Sequence, residues 1–238
     1  MNYLSLFSGA GGFEWFGKLM GWHCVGYVEK DEYCQKVLRA RIRDGYFDDA
    51  PIFSNVRTFD GLPYRGKVDC ITAGFPCQPF SAGGKRLGAK DERNLWIDTI
   101  RVLGEVQPGS IFLENSPMLA TDGYLGEVLK GLAEIGYGAR WGCLSASTIG
   151  APHQRERIWI YAYPHGAGRE GPLWCGLSSA RRVSQHVRPS AYWTAFKSPA
   201  IGVAERPPAW GHRLRAVGNG IVPAVACEAW RRLNGDTT

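Results

Sequence analysis

The chain has 238 residues and a formal net charge of +6, with 28 Lys and Arg against 22 Asp and Glu; 45% of it is apolar and 12% aromatic. That supply of apolar residues excludes a disordered chain, and the length suits one large domain or a medium domain with a small appendage. No apolar run approaches the ~20 residues of a membrane span, and the opening MNYLSLFSGAGGF reaches glycine before a leader-like stretch, so the reading is neither membrane-bound nor exported.

In chain order, apolar strand-like runs at 3–7, 24–29, 69–75, 111–114 and 157–163 alternate with helical patterns at 13–20, 32–42, 95–106 and 125–135. This alternation predicts βαβ units and a parallel sheet covered on both faces, an α/β fold. In such sheets the functional residues gather on loops beyond the carboxyl ends of the strands. From residue 164 to about 211 the periodicity dissolves into Gly, Pro, Ser and Arg with Trp174, Trp193 and Trp210. A flexible linker would not carry those tryptophans, so a small irregular domain is expected there. A helix is predicted from Val222 onward. The organisation read from the sequence is 1–163, 164–211 and a returning segment 212–238.

Charge is distributed unevenly. Residues 1–150 carry 16 basic and 17 acidic side chains, whereas 151–238 carry 12 basic, eleven of them Arg, and 5 acidic. Arginine suits bidentate contact with phosphates and base edges, so this skew points to a polyanion such as nucleic acid; the alternative is a solvated basic face. Seven cysteines, an odd count with no Cys-x-x-Cys pair, give no support to a disulfide scaffold or a structural zinc site. They suit an intracellular protein with reduced thiols, one of which could be reactive.

Four constellations carry potential chemistry. The first, Phe7, Ser8, Gly9, Ala10, Gly11, Gly12 and Phe13, follows the opening strand and lacks both a Walker lysine and the third glycine of a dinucleotide fingerprint, since position 14 is Glu. Together with Glu29 at the end of the next strand, it favours an adenosine-bearing cofactor without a pyrophosphate clamp. The second, GFPCQPFS at 74–81, holds Cys77 between two prolines, either as a nucleophile or as a small buried hydrophobe. The third, FLENSP at 112–117, ends a strand with Glu114, a general acid or a polar rim residue. In the fourth, QRERIWI at 154–160, strand alternation places Arg155 and Arg157 on one face, to orient a carbonyl or simply to charge an edge.

Taken in this order, and with VGNGIVP at 217–223 closing the series, these segments resemble the motifs of cytosine-5 DNA methyltransferases. The resemblance covers roughly 1–163 and 212–233. It implies a Rossmann-like S-adenosylmethionine-dependent methyltransferase domain with a small irregular target-recognition domain. S-adenosyl-L-methionine would lie over Ser8, Gly9, Gly11 and Gly12, with Phe7 against the adenine, Glu29 on the ribose and Asn219 in the returning motif. Asn55 stands where the family usually has an aspartate at the adenine edge, and Lys30 where a bulky apolar neighbour is common.

The implied activity is transfer of a methyl group to carbon 5 of a flipped-out cytosine. Cys77 would attack carbon 6, a protonated Glu114 would hold ring nitrogen 3, and Arg157 with Arg155 would hold the ring carbonyl. Double-stranded DNA is the implied partner, met by Ser81, Arg169, Arg181, Arg182, Arg188 and Lys197. A recognition segment of about fifty residues is short for the family, which implies relaxed specificity, a short site, or a required dimer or partner; a homodimer and a cognate restriction enzyme are the candidate partners. A bacterial or phage enzyme acting in the cytoplasm at the nucleoid is expected. Rival readings are a tRNA cytosine-5 methyltransferase, a catalytically silent DNA-binding relative and a small-molecule methyltransferase.

Overall fold

The computed structural model of the chain describes residues 1–76, 95–121, 123–167, 216 and 220–235. Seven strands form one sheet in the order β3-β2-β1-β4-β5-β7-β6. They are β1 (Asn2–Leu6), β2 (His23–Val28), β3 (Ile52–Phe53), β4 (Cys70–Ala73), β5 (Ser110–Asn115), β6 (Tyr137–Leu144) and β7 (Arg157–Pro164). The helices are α1 (Gly12–Met20), α2 (Glu32–Arg43), α3 (Trp96–Val106), the short α4 (Met118–Thr121), α5 (Tyr124–Glu134) and α6 (Pro223–Asn234).

The first five strands pair in parallel. By contrast, β7 is antiparallel to both β5 and β6, so the all-parallel expectation is corrected to a mixed sheet. The reason lies in the connection. Between β6 and β7 the chain has a single 3-10 turn (Ala146–Ile149) and no crossover helix, so β7 can only run back along its predecessor. The alternation pattern overlooked β6 because Gly138, Arg140 and Gly142 dilute its apolar face, and β3 because it is two residues long.

Alternation along the strands divides the core. Leu4, Leu6, Ile71, Ile111, Leu113, Ile158 and Ile160 face α3 and α5. Tyr3, Phe112, Trp159 and Tyr161 face the other layer, where they meet Phe13 and Phe16 of α1 and Trp230 of α6. That second layer is held largely by rings: Phe112 stacks on Trp159 with centroids 5.2 Å apart, and Trp230 meets Trp22 edge-on at 4.7 Å. Such pairs add about 0.5–1.5 kcal/mol each beyond the area they bury.

Glycine permits the closest approaches in this layer. A Cβ on Gly12 would lie 2.6 Å from Ile221, and one on Gly17 would lie 2.6 Å from the Tyr3 ring. The returning segment therefore seats directly on the first turn of α1. Helix α6 starts with Pro223 at its first turn and ends at Gly235 in a left-handed conformation, two features that suit the ends of a helix.

One polar group is locked into this frame. Glu14, on α1, is 2% exposed, and neither carboxylate oxygen completes a hydrogen bond among the described residues. Burial pushes its pKa up from 4.5 to about 7, against the opposing pull of the nearby Ser5 and Ser8 hydroxyls. The folded protein therefore holds this proton more tightly than the unfolded chain. Its stabilising contribution is complete below pH about 4.5 and is lost as pH rises to about 7. Accordingly, Glu14→Gln should gain on the wild type across that window, by roughly 3 kcal/mol at pH 8. Urea titrations at pH 5 and pH 8 check this, and an advantage that is equal at both would refute it.

Candidate active site

The sheet order reverses at β1. The chain proceeds outward to β2 and β3, then returns to place β4 on the other flank of β1. Loops leaving β1 and β4 therefore open on opposite sides of one crevice, the usual place for a ligand in such sheets. Leu6 pairs with Ala73, so Phe7–Gly12 and the Gly74–Phe75 exit start side by side.

The β1 loop is bent sharply. Phe7, Gly9 and Gly11 all have left-handed backbones, with φ of 55°, 58° and 100°. Gly11 also lies under Phe47, whose Cε2 would be 2.5 Å from an added Cβ. Gly9 is different, since a Cβ there would meet only the Phe7 carbonyl at 3.9 Å. The loop's N–H groups are partly committed: Gly9 donates to Glu29 Oε2 at 2.7 Å, and Gly11 donates to the Ser8 carbonyl at 3.1 Å. Ser8 is buried and its hydroxyl donates into Ser5. A loop so tied is a poor cradle for a pyrophosphate.

Glu29 stands half-buried just past β2. Its Oε1 accepts from Asp31 N–H at 2.6 Å, its backbone N–H bonds Phe53, and Gln35 donates to its carbonyl at 2.7 Å. Burial raises its pKa, with the Asp31 and Gly9 amides pulling the other way. Each carboxylate oxygen has room for a second acceptor bond, so the group suits two vicinal hydroxyls. Asn55 follows β3 on the same edge of the sheet, and its Oδ1 accepts from Arg57 N–H at 3.0 Å. The residues present fit an adenosine. Phe7, Gly9, Glu29 and Asn55 all follow strands at the carboxyl edge of the sheet, with Glu29 bonded to the Gly9 amide.

Across the crevice, β5 is buried at every position and ends at Glu114 and Asn115. Arg157 Nε lies 2.8 Å from Glu114 Oε1. Even so, burial dominates and lifts the Glu114 pKa from 4.5 to about 7, with Arg157 and then Arg155 opposing it. Near neutral pH this carboxyl group is therefore divided between acid and carboxylate, as a group that donates a hydrogen bond and then gives up its proton requires. An added Cβ on Gly74 would lie 3.2 Å from Glu114 Oε2, so the carboxyl group rests against the start of the β4 exit.

Arg155 departs from the expected geometry. It precedes β7, has φ of 34°, and donates to the Gly220 carbonyl on the returning segment. The sequence reading of two arginines on one strand face is corrected on this point, because alternation begins only at Arg157. Arg155 still lies close enough to act on Glu114 electrostatically.

Sequence reasoning missed several residues. Asn115 donates to the Phe75 carbonyl at 2.8 Å and accepts from Ser116 N–H at 2.8 Å, thereby tying the end of β5 to the chain two residues before Cys77. Its place beside Glu114 at a strand end was the available signal. Phe75 in turn packs on Trp96, at 5.0 Å. Phe47 and Gln35 carried no sequence signal, since each acts through a contact made only in the fold. The expected residues Cys77, Ser81, Arg169, Arg181, Arg182, Arg188, Lys197 and Asn219 lie outside the described residues.

Comparison with known proteins agrees with this arrangement. The profile of the C-5 cytosine-specific DNA methylase family matches residues 1–189. Type II methyltransferase M.CviJI of Paramecium bursaria Chlorella virus IL3A is 41% identical over 139 residues, 58% of this chain and 36% of that protein. Type II methyltransferase M.DsaV of Dactylococcopsis salina is 32% identical over 167 residues, 68% of this chain and 46% of that protein. The chain thus spans less than half the length of these two curated relatives. Among solved structures, a mutant of Spodoptera frugiperda DNMT2 shares the fold with a TM-score of 0.59 and 23% identity, over 72% of this chain and 52% of that one. With its crevice between β1 and β4 and its Glu-Asn pair at the end of β5, the chain belongs to the C-5 cytosine-specific DNA methylase family.

Proposed function

We propose that this chain transfers a methyl group from S-adenosyl-L-methionine to carbon 5 of a cytosine flipped out of double-stranded DNA, through a covalent bond from Cys77. The observation that carries the reading is Glu114: a buried carboxyl group, pKa about 7, held by Arg157 at the crevice and within 3.2 Å of the position a Gly74 Cβ would take. Bound in the crevice, S-adenosyl-L-methionine would supply an electrophilic methyl group. The Glu29 carboxylate would take the ribose hydroxyls, Phe7 and Asn55 would border the adenine, and Ser8, Gly9, Gly11 and Gly12 would form the floor, with Asn219 alongside.

Carbon 5 of cytosine is too poor a nucleophile to take the methyl group unaided. Addition of the Cys77 thiolate at carbon 6 makes carbon 5 electron-rich. Glu114 donates its proton to ring nitrogen 3 as negative charge develops there, and Arg157, with Arg155 beside it, steadies the ring carbonyl. After transfer, a water takes the carbon-5 proton, the carbon-6–sulfur bond breaks to expel the Cys77 thiolate, and the nitrogen-3 proton returns to the Glu114 carboxylate, which restores the aromatic ring. The target atom is out of reach within a duplex, so the base must leave the stack at a cost of a few kcal/mol.

Residues 164–211 would read the target, with Arg169, Arg181, Arg182, Arg188 and Lys197 on phosphates and base edges and Ser81 on the catalytic side. A second copy of the chain would complement so short a recognition segment, and a cognate restriction enzyme would be a partner in the sense of cutting the same site when it is unmethylated. The same reading puts its work at the nucleoid of a bacterial or phage-infected cell. No helix among the described residues is long and apolar enough to cross a membrane.

Three outcomes test the reading. Duplex DNA carrying 5-fluorocytosine, with cofactor present, should trap the wild-type chain covalently on a denaturing gel, and Cys77→Ala should abolish the band. A persistent adduct in that variant would refute the nucleophile. Methylation of tRNA in preference to duplex DNA would overturn the substrate.

Glu114→Gln should slow methyl transfer by about 10²–10⁴-fold. Only the protonated carboxyl group donates, so the wild-type rate should decline as pH rises past about 7, while the variant's profile should lack that limb. An alkaline limb that survives in Glu114→Gln would exclude this assignment.

Binding of duplex DNA should weaken steeply with salt, and each phosphate-contacting arginine changed to Ala should lower the log–log slope by about 1. Salt-insensitive binding would favour a small-molecule substrate.

A further inference from the structure

The chain between β3 and the 3-10 turn at Leu62–Tyr64 has no helix or strand of its own, yet it occupies the carboxyl edge of the sheet next to Glu29. Val56 and Phe59 anchor it in the core, and Thr58 N–H closes a turn onto the Asn55 carbonyl at 3.2 Å. Its outward carbonyls meet α3. Arg101 Nη2 donates to Val56 at 2.7 Å and to Arg57 at 3.4 Å, while Nη1 donates to Phe59 at 3.0 Å. The same Nη1 lies 2.6 Å from Glu105 Oε1, and Glu105 Oε2 accepts from Gly61 N–H at 2.9 Å.

Arg57 Nε lies 3.6 Å from Asp98, so one stripe of α3, at Asp98, Arg101 and Glu105, grips the loop along its length. Glycine at 61 keeps this approach close, since a Cβ there would sit 3.0 Å from both Glu105 Oε2 and Val106 Cγ2 and would press on the carboxylate.

We propose that Arg101, held by Glu105, is the positioning residue for the adenine side of the cofactor site. It acts through Asn55, fixing the backbone from 56 to 61 so that the amide at 55 meets the base. A planar guanidinium can serve three carbonyls and a carboxylate together, which a lysine ammonium cannot do in that geometry. Helix α3 reaches the other half of the crevice as well, because Trp96 at its start packs on Phe75. A single rigid helix therefore sets the spacing between the adenine edge and the exit of β4. The inference rests on the proposed cofactor reading of Asn55 and adds to it a residue that does not itself touch the cofactor.

The test uses the full chain with Arg101→Lys, Asn55→Ala and the double variant. Backbone amide exchange of 56–61 is measured without ligand, and affinities are measured by calorimetry for S-adenosylhomocysteine and S-inosylhomocysteine, which differ at the base edge. Arg101→Lys should speed exchange in 56–61 and weaken S-adenosylhomocysteine about tenfold, as expected for lost charge-assisted hydrogen bonds. The preference for adenine over hypoxanthine should shrink as well, and the double variant should bind no more weakly than Asn55→Ala alone.

Unchanged exchange would overturn the clamp. Faster exchange with an unchanged base preference, or losses that add in the double variant, would reduce Arg101 to a structural part and overturn the positioning role. A wild-type chain that fails to bind S-adenosylhomocysteine would instead sink the cofactor reading, and the positioning role with it, while exchange would still report on the clamp. If Arg101→Lys does not fold, Glu105→Gln carries the same measurements, with smaller shifts in the same directions.

Discussion

Glu114 is the penultimate residue of a strand buried along its whole length, and a carboxyl group in that position is tolerable because a guanidinium reaches it from the neighbouring strand. The direction of β7 makes this possible. An antiparallel strand begins at the edge where its parallel neighbours end, so Arg157, the first residue of β7, arrives beside the last residues of β5. A parallel β7 would have delivered its opening arginine to the far edge of the sheet. The reversal in the sheet thus supplies a cation to a site otherwise assembled from the carboxyl ends of parallel strands. The contact is close enough to hold the carboxyl group in place, but burial still dominates its proton affinity.

The remainder of the crevice depends on tethers of similar kind. Asn115 holds the Phe75 carbonyl, Glu29 holds the Gly9 amide, and Arg155 holds the Gly220 carbonyl. Each joins one loop leaving the sheet to a residue from another strand or segment. These are polar links between pieces distant in sequence. The strand face beneath α3 and α5, by contrast, is covered by apolar side chains.

Much of the parallel half of the fold can be read from the chain alone. Strands β1, β2, β4 and β5 are short apolar runs bounded by glycine, acid or amide, and their positions differ from the sequence reading by a residue or two. Helix α1 begins one residue earlier than its apolar period suggests, because Gly11 supplies the left-handed turn that starts it. Other parts were not legible. Strand β6 carries two glycines and two large polar or aromatic residues on a half-exposed stretch, so its period is lost. Within the site, Glu29 and Glu114 announce themselves as acids at strand ends. Phe47 over Gly11 and Arg101 over the Val56 and Phe59 carbonyls depend on separations of 36 and about 45 residues that no local pattern encodes.

The seating of α6 on α1 joins the beginning of the chain to residues more than 200 positions later. A ribosome delivering about 5–20 residues per second needs about 10–40 s to traverse that interval. Throughout it, Phe16 and Trp22, joined by Phe112 once that residue is made, lack the indole of Trp230 that later covers them. The nascent chain is thus left sticky at α1, and the aromatic layer closes only once α6 has been made.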